Sequence, residues 1–264
     1  MESRFSRLEF VDKNNTLEQS KAKEDYSYKE STEKNHIKKA EEYEMFGDHE
    51  KALQTYAAAL NENPLALDAW VGQIIALLRF QEYTEAEVWV NKAMEKFPQN
   101  PRLLSLKSIA YFRIGRQSEA LMLNDSAMKN KGEFALVWLA RGEIMMRFNP
   151  AISEQCFHHA IKLPSKTPGK VNLWVGEVYF LLKKYSLALS YFKKTIAESE
   201  KCAWGWYLTG KAYLELGQFD QAKKHFYQAL VLYPSKALYQ QAPGTIPSGF
   251  LGALQILLRR FTNG

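Results

Sequence analysis

Chemistry in this chain would have to come from few side chains. Cys156, His158 and His159 form the one cluster of metal-ligand types, and all three fall within two turns of a single helix-patterned segment. A structural zinc site needs four ligands at paired spacings, so core and surface roles account for these residues better than a metal does. The only other cysteine is Cys202. Two cysteines make no disulfide framework and fit a reducing compartment. The sequence has no glycine loop of the phosphate-cradling kind, no nucleophile elbow and no recognisable pair of carboxylates. The expectation is a chain that is not an enzyme, with no cofactor and no metal, whose important residues bind rather than react.

Composition says which elements must position them. In 264 residues with 46% hydrophobic content there are only 14 glycines and 9 prolines, and Ala, Leu, Lys, Glu and Gln fill the long segments, which favours helix over sheet. A formal charge of +6, from 35 basic and 29 acidic side chains, describes a salted surface that permits nucleic-acid binding without pointing to it. The first ten residues, MESRFSRLEF, lack the apolar core of a signal peptide. No run of eighteen apolar residues marks a membrane span, and the expected compartment is the cytoplasm.

The dominant signal is a period of 34 residues. Ala52, Ala86 and Ala120 recur at that spacing, and Ala188 and Ala222 resume the register two periods later. Ala59, Ala93, Ala127 and Ala229 form a second series seven residues on, and Pro64, Pro98 and Pro234 a third, five residues later still. Where helices cross closely, only a small side chain lets the backbones reach the separation their ridges require. A proline after the second helix ends each hairpin, because it cannot donate the next backbone bond.

This pattern resembles the tetratricopeptide repeat, whose motif runs W-x2-L-G-x2-Y, then A-x3-F-x2-A, then P. Trp206, Gly210, Tyr213, Gly217, Phe219, Ala222, Phe226, Ala229 and Pro234 fall at its offsets, as do Ala40, Tyr43, Gly47, Ala52, Tyr56, Ala59 and Pro64. The resemblance implies an all-α fold, a right-handed superhelical solenoid of about six helix-turn-helix repeats. They are placed at residues 33–66, 67–100, 101–134, 135–168, 169–202 and 203–236, after a flexible arm over 1–32 and before a linker and C-terminal helix over 237–264. Repeat four departs from the motif. Asn149 and Pro150 stand at its turn, and Ser153, Phe157 and Ala160 arrive one residue early, so a tighter turn is expected, with the register restored in LPSKTPGK (163–170).

The resemblance also implies a concave groove lined by first helices. Carrying its offsets over gives Val71, Ile75, Leu78 and Arg79 in repeat two, and Arg102, Ser105, Ile109, Phe112 and Arg113 in repeat three. Repeat four supplies Leu139, Glu143, Met146 and Arg147; repeat five, Leu173, Glu177 and Phe180; repeat six, Trp204, Tyr207, Lys211 and Leu214. The expected groove is apolar with an arginine edge. Arg79, Arg113 and Arg147, spaced by 34, read either as forked donors for carboxylates of a partner or as charges opposing helix macrodipoles. Ile37, Glu41 and Gly72 stand where relatives that clamp chaperone C-termini carry Lys and Asn, so that ligand is not expected.

Two segments flank the array. Residues 11–32 are polar and aperiodic and read as a disordered arm, with a small apolar cluster of Phe5, Leu8 and Phe10 ahead of it. Near the other end, Phe250, Leu251, Leu254, Leu257, Leu258 and Phe261 form one apolar helical stripe that would cap the array, fill the groove, dock a partner or lie on a membrane surface. The expected function is a protein-binding adaptor or scaffold that holds a peptide or helix of a partner. The alternatives are a membrane-associated assembly factor using the C-terminal helix and an RNA-binding helical-repeat protein. The RNA reading is disfavoured by a groove that is largely Val, Ile, Leu, Phe and Met rather than polar and stacking residues. Self-association through exposed ends is a further expectation.

Overall fold

The computed structural model describes residues 22–129, 134–164 and 168–246, and every described element is helical. The stripe from Phe250 to Phe261 and the cluster of Phe5, Leu8 and Phe10 lie outside those residues. The described helices group into two compact units that divide between Leu163 and Pro164, with the Met45–Gly47 turn grouped with the second.

The first unit holds four antiparallel hairpins: α1 (Ala22–Met45) with α2 (His49–Glu62), α3 (Leu67–Arg79) with α4 (Tyr83–Lys96), α5 (Pro101–Arg113) with α6 (Gln117–Lys129), and α7 (Ala135–Phe148) with α8 (Pro150–Lys162). The second holds α9 (Pro168–Leu181) with α10 (Tyr185–Glu198), α11 (Ala203–Glu215) with α12 (Phe219–Leu232), and a short α13 (Ala237–Gln241). First helices thus begin within one residue of the expected repeat starts from 67 onward. The exception is α1, which starts at Ala22, so residues 22–32 belong to a helix and not to the arm. That stretch has no glycine or proline, and a helix already nucleated downstream propagates through such a sequence at little cost.

Every alanine of the two recurring series, Ala52 to Ala222 and Ala59 to Ala229, is fully buried. In three hairpins, α7 with α8, α9 with α10 and α11 with α12, a second-helix ring closely meets a first-helix position without a side chain. A Cβ added to Gly142 would lie 2.4 Å from Phe157, and one added to Gly176 or Gly210 would lie 2.5 Å from Phe192 or Phe226. In α3 it is Gly72 that receives the Tyr56 ring of the preceding hairpin, at 2.1 Å. Phe157, Phe192 and Phe226 are essentially inaccessible to water.

The turns repeat as well. Gly47, Gln81, Gly115, Lys183 and Gly217 all hold a positive φ, from 58° to 92°, and the next residue's N–H bonds back to the carbonyl five positions earlier, as from Glu82 to Leu77 or Gln218 to Tyr213. This is the Schellman closure of a helix C-terminus, in which glycine carries the least strain. Repeat four does without it. Asn149 has φ −151° and serves at once as the last cap of α7 and the first cap of α8, its side chain accepting from Ile152 N–H, with Pro150 opening the helix. The turn is one residue shorter, which is why Ser153, Phe157 and Ala160 come early; all three are buried, and Ser153 donates to the Gly142 carbonyl at 2.6 Å.

In the second unit Thr195 replaces a series alanine and is buried with its hydroxyl bonded to the carbonyls of Gly169 and Tyr191. The fully buried Tyr239 of α13 packs its ring at a tilt against Tyr207 and donates to the Phe46 carbonyl at 2.7 Å.

If the glycine–ring contact sets the helix separation, Gly210→Ala should destabilise despite the roughly 1 kcal/mol that alanine gains in a helix interior, because overpacking costs about 1–3 kcal/mol. Phe226→Leu in the same chain should return part of the loss. Thermal unfolding of the single and double variants checks this, and a single variant more stable than wild type would contradict it.

Candidate protein-binding face

The residues expected to line a groove come from the first helices, and the two units present them differently. In the first unit Val71, Leu78, Ile109, Leu139, Glu143 and Met146 are buried, and so is Ser105. Ile75, Arg79, Arg102, Phe112 and Arg113 are half-buried, and only Arg147 is exposed. An open face was expected, and most of these positions are covered or half-covered instead.

Nor do the three arginines form one ladder. Arg113 donates from Nε and Nη2 to the Glu143 carboxylate at 2.7 and 3.2 Å and from Nη1 to the Leu78 carbonyl at 3.1 Å, with its guanidinium over the Tyr83 ring. Its fork is therefore engaged within the chain, joining α3, α5 and α7. Arg79 lies 3.8 Å from Glu44, both largely shielded. Arg102 meets Asp68 at 2.6 Å at a wetter position. The ion pair between Arg113 and Glu143 links offset thirteen of one repeat to offset nine of the next, a pairing that could be found from sequence by comparing neighbouring repeats rather than equivalent positions.

In the second unit five expected residues converge. The Trp204 indole N–H donates to Glu177 Oε1 at 2.8 Å, Trp204 and Tyr207 stack with centroids 5.3 Å apart, and Lys211 lies over the Phe180 ring at 5.2 Å. Leu173 and Tyr207 are buried beneath, and burial pushes the Tyr207 phenol above its usual pKa. Glu177, Phe180, Trp204 and Lys211 remain half-buried. The result is a face with aromatic bodies, the residue class enriched where proteins bind one another, and charged edges.

Elsewhere, Cys156 sits on the buried stripe of α8 with its thiol pKa raised by burial, whereas His158 and His159 are exposed, His159 against Trp138. Among the described residues no group of three or more His, Cys, Asp and Glu could hold a metal, and no helix is long and apolar enough to cross a membrane. Not anticipated was a cluster on the first unit in which Tyr111 donates to Glu87 at 2.9 Å and Arg116 lies 3.7 Å over the Tyr111 ring, bordering a cavity of about 260 Å3 with Lys107 and Met122. Its charges come from three different elements, so no local spacing announces it.

These helical hairpins, with their buried alanines and glycine–ring contacts, are tetratricopeptide repeats: family models described by that name match residues 37–101 and 203–236. The chain is similar to anaphase-promoting complex subunit 3 of Schizosaccharomyces pombe, at 23% identity over 165 residues, covering 62% of this chain and 23% of that protein. The alignment therefore spans less than a quarter of the relative's length. Among solved structures, the anaphase-promoting-complex hetero-tetramer Cut9–Hcn1 superposes with TM-score 0.50 at 14% identity, over 85% of this chain and 46% of the other. PilW, described as a widely conserved type IV pilus biogenesis factor, gives TM-score 0.48 at 18% identity, over 75% and 93%. At 14% identity the likeness to Cut9–Hcn1 is one of fold alone.

The arginines should separate on mutation. Arg113→Ala leaves Glu143 buried without its fork and should cost about 3–5 kcal/mol, whereas Arg147→Ala at an exposed site should stay within about 0.5 kcal/mol. Urea unfolding of the two variants measures the contrast; equal effects would show that the Glu143 pair is not structural.

Proposed function

We propose that this chain is a non-enzymatic adaptor or scaffold that holds a peptide or helix of a partner protein against the first-helix face of its repeats. The observation that carries the reading is the convergence of Glu177, Phe180, Trp204, Tyr207 and Lys211 into one aromatic, charge-edged surface. Large rings held rigidly by stacking and by a hydrogen bond give contact area without loss of side-chain freedom on binding, which is what makes Trp and Tyr dominate protein interfaces. Support also comes from the relatives, two of which are named as parts of a multi-subunit complex. A cytoplasmic setting fits a chain with two cysteines, both buried.

Affinity purification with mass spectrometry tests it, comparing the intact chain, a Phe180→Asp and Lys211→Glu double variant on the first-helix face, and a Met122→Asp control on the exposed side of α6. The expected outcome is a set of proteins retained by wild type and control and reduced at least ten-fold by the double variant, with all three chains equally folded by circular dichroism. Identical captures would sink the reading.

A further inference from the structure

The second unit presents an apolar turn surrounded by lysines. Leu181, which ends α9, Leu182, which follows it, and Leu187 in the first turn of α10 are 55%, 47% and 42% exposed. Exposed large apolar residues scattered over a surface are ordinary, but among the described residues only these three fall within seven positions. Exposed Lys183 and Lys184 sit between them, and a cavity of about 290 Å3 opens beside the turn, bordered by Lys183, Lys184, Ser186 and Leu216. Further along α10, Lys193 and Lys194 are exposed on the side that carries Ser186 and Leu187, since seven residues return a helix to nearly the same direction. Lys193 Nζ lies 5.3 Å over the Tyr213 ring, which meets the His225 ring of α12 at 4.9 Å. Burial lowers the His225 pKa, and Lys224 and Lys193 add to the lowering against the Gln221 carbonyl that raises it, so lysines of α10 and α12 flank one side chain.

We propose that this face of the second unit, from the turn at Leu181, Leu182 and Leu187 to Lys193, Lys194 and Lys224, rests on an anionic lipid surface with its leucines in the interface. The kind of cation decides between anionic partners. Residues 168–246 contain ten lysines, five acids and no arginine, whereas residues 22–163 contain six arginines. Arginine, with its planar fork, is enriched where proteins bind one another, and lysine is depleted there. A face whose cations are all lysine is therefore poorly matched to the carboxylates of a protein. A lipid surface asks for no directed hydrogen bond: point charges gather in its negative potential, and the lysine stems cover apolar surface while their ammonium groups stay in water. Nucleic acid would use the lysines on its phosphates but would leave the three leucines in water. Leucines below the headgroups and lysines among them are the two signals that stable attachment to a membrane surface needs. The proposal concerns a turn and second helices, so it stands apart from the binding of a protein partner by first helices.

Vesicle co-sedimentation with the full chain tests it. The chain should bind vesicles of phosphatidylcholine mixed with phosphatidylserine at least ten-fold more tightly than vesicles of phosphatidylcholine alone. Raising the salt from about 0.1 M to about 0.5 M should weaken that binding, because screening shortens the reach of the lysines. Leu181→Ser with Leu182→Ser, and separately Lys193→Glu with Lys194→Glu, should each reduce it at least ten-fold with circular dichroism unchanged. Leu254→Glu with Leu257→Glu, in the apolar stripe of residues 250–261, should leave it as it is. Equal binding to both kinds of vesicle, or binding lost only through the Leu254 and Leu257 pair, would overturn the proposal. So would a tighter affinity for single-stranded RNA or a polyglutamate peptide that depends on the lysines and not on the leucines. None of these readouts involves a captured protein, so failure here leaves the adaptor reading to be judged by capture alone.

Discussion

The close approach of a second-helix ring to a first-helix glycine is the contact on which the other features of the last three hairpins depend. With Phe157 on Gly142, Phe192 on Gly176 and Phe226 on Gly210, the two backbones lie near enough that the flanking positions hold small side chains, mostly alanines, and the alanines are fully buried. Once the spacing is set, the turn has little freedom. Five turns close by the same bond to a carbonyl five residues back, and even Gln81 and Lys183 adopt the left-handed conformation that glycine holds elsewhere. The local strain at those two side chains is offset by the packing on either side of them.

Repeat four shows that the constraint is the ring contact and not the turn. Its turn is shorter by one residue and uses Asn149 as a double cap, yet Phe157 shifts by one position in sequence and still reaches Gly142. Polar substitutions within the series obey the same logic. Thr195 and Ser153 are buried at sites that favour small side chains, and each returns its hydroxyl to a backbone carbonyl, so neither leaves a polar atom without a bond.

Most of the fold could be read from the sequence because it repeats. The alanine and proline series set hairpin boundaries to within a residue from 67 onward, and Asn149–Pro150 announced the shorter turn. What could not be read were relations between different repeat positions. Equivalent spacing suggested that Arg79, Arg113 and Arg147 share one environment, whereas Arg113 is tied to Glu143 and Arg147 is exposed. Glu177, Phe180, Trp204, Tyr207 and Lys211, named from motif offsets, lie near one another because all stand on two adjacent first helices. The burial of Val71, Leu78 and Ile109 was not legible, since an offset gives direction and not what lies above it. The early start of α1 was missed because a polar sequence has no apolar period to find.

Binding through the first helices is the central functional claim, and hydrogen–deuterium exchange on the chain with and without a purified partner tests it most directly. The account predicts that the partner slows exchange in α9 and α11, around Phe180 and Trp204, while α10 and α12 exchange as in the free chain. Slowed exchange confined to α10, α12 or the turns between the helices would contradict it.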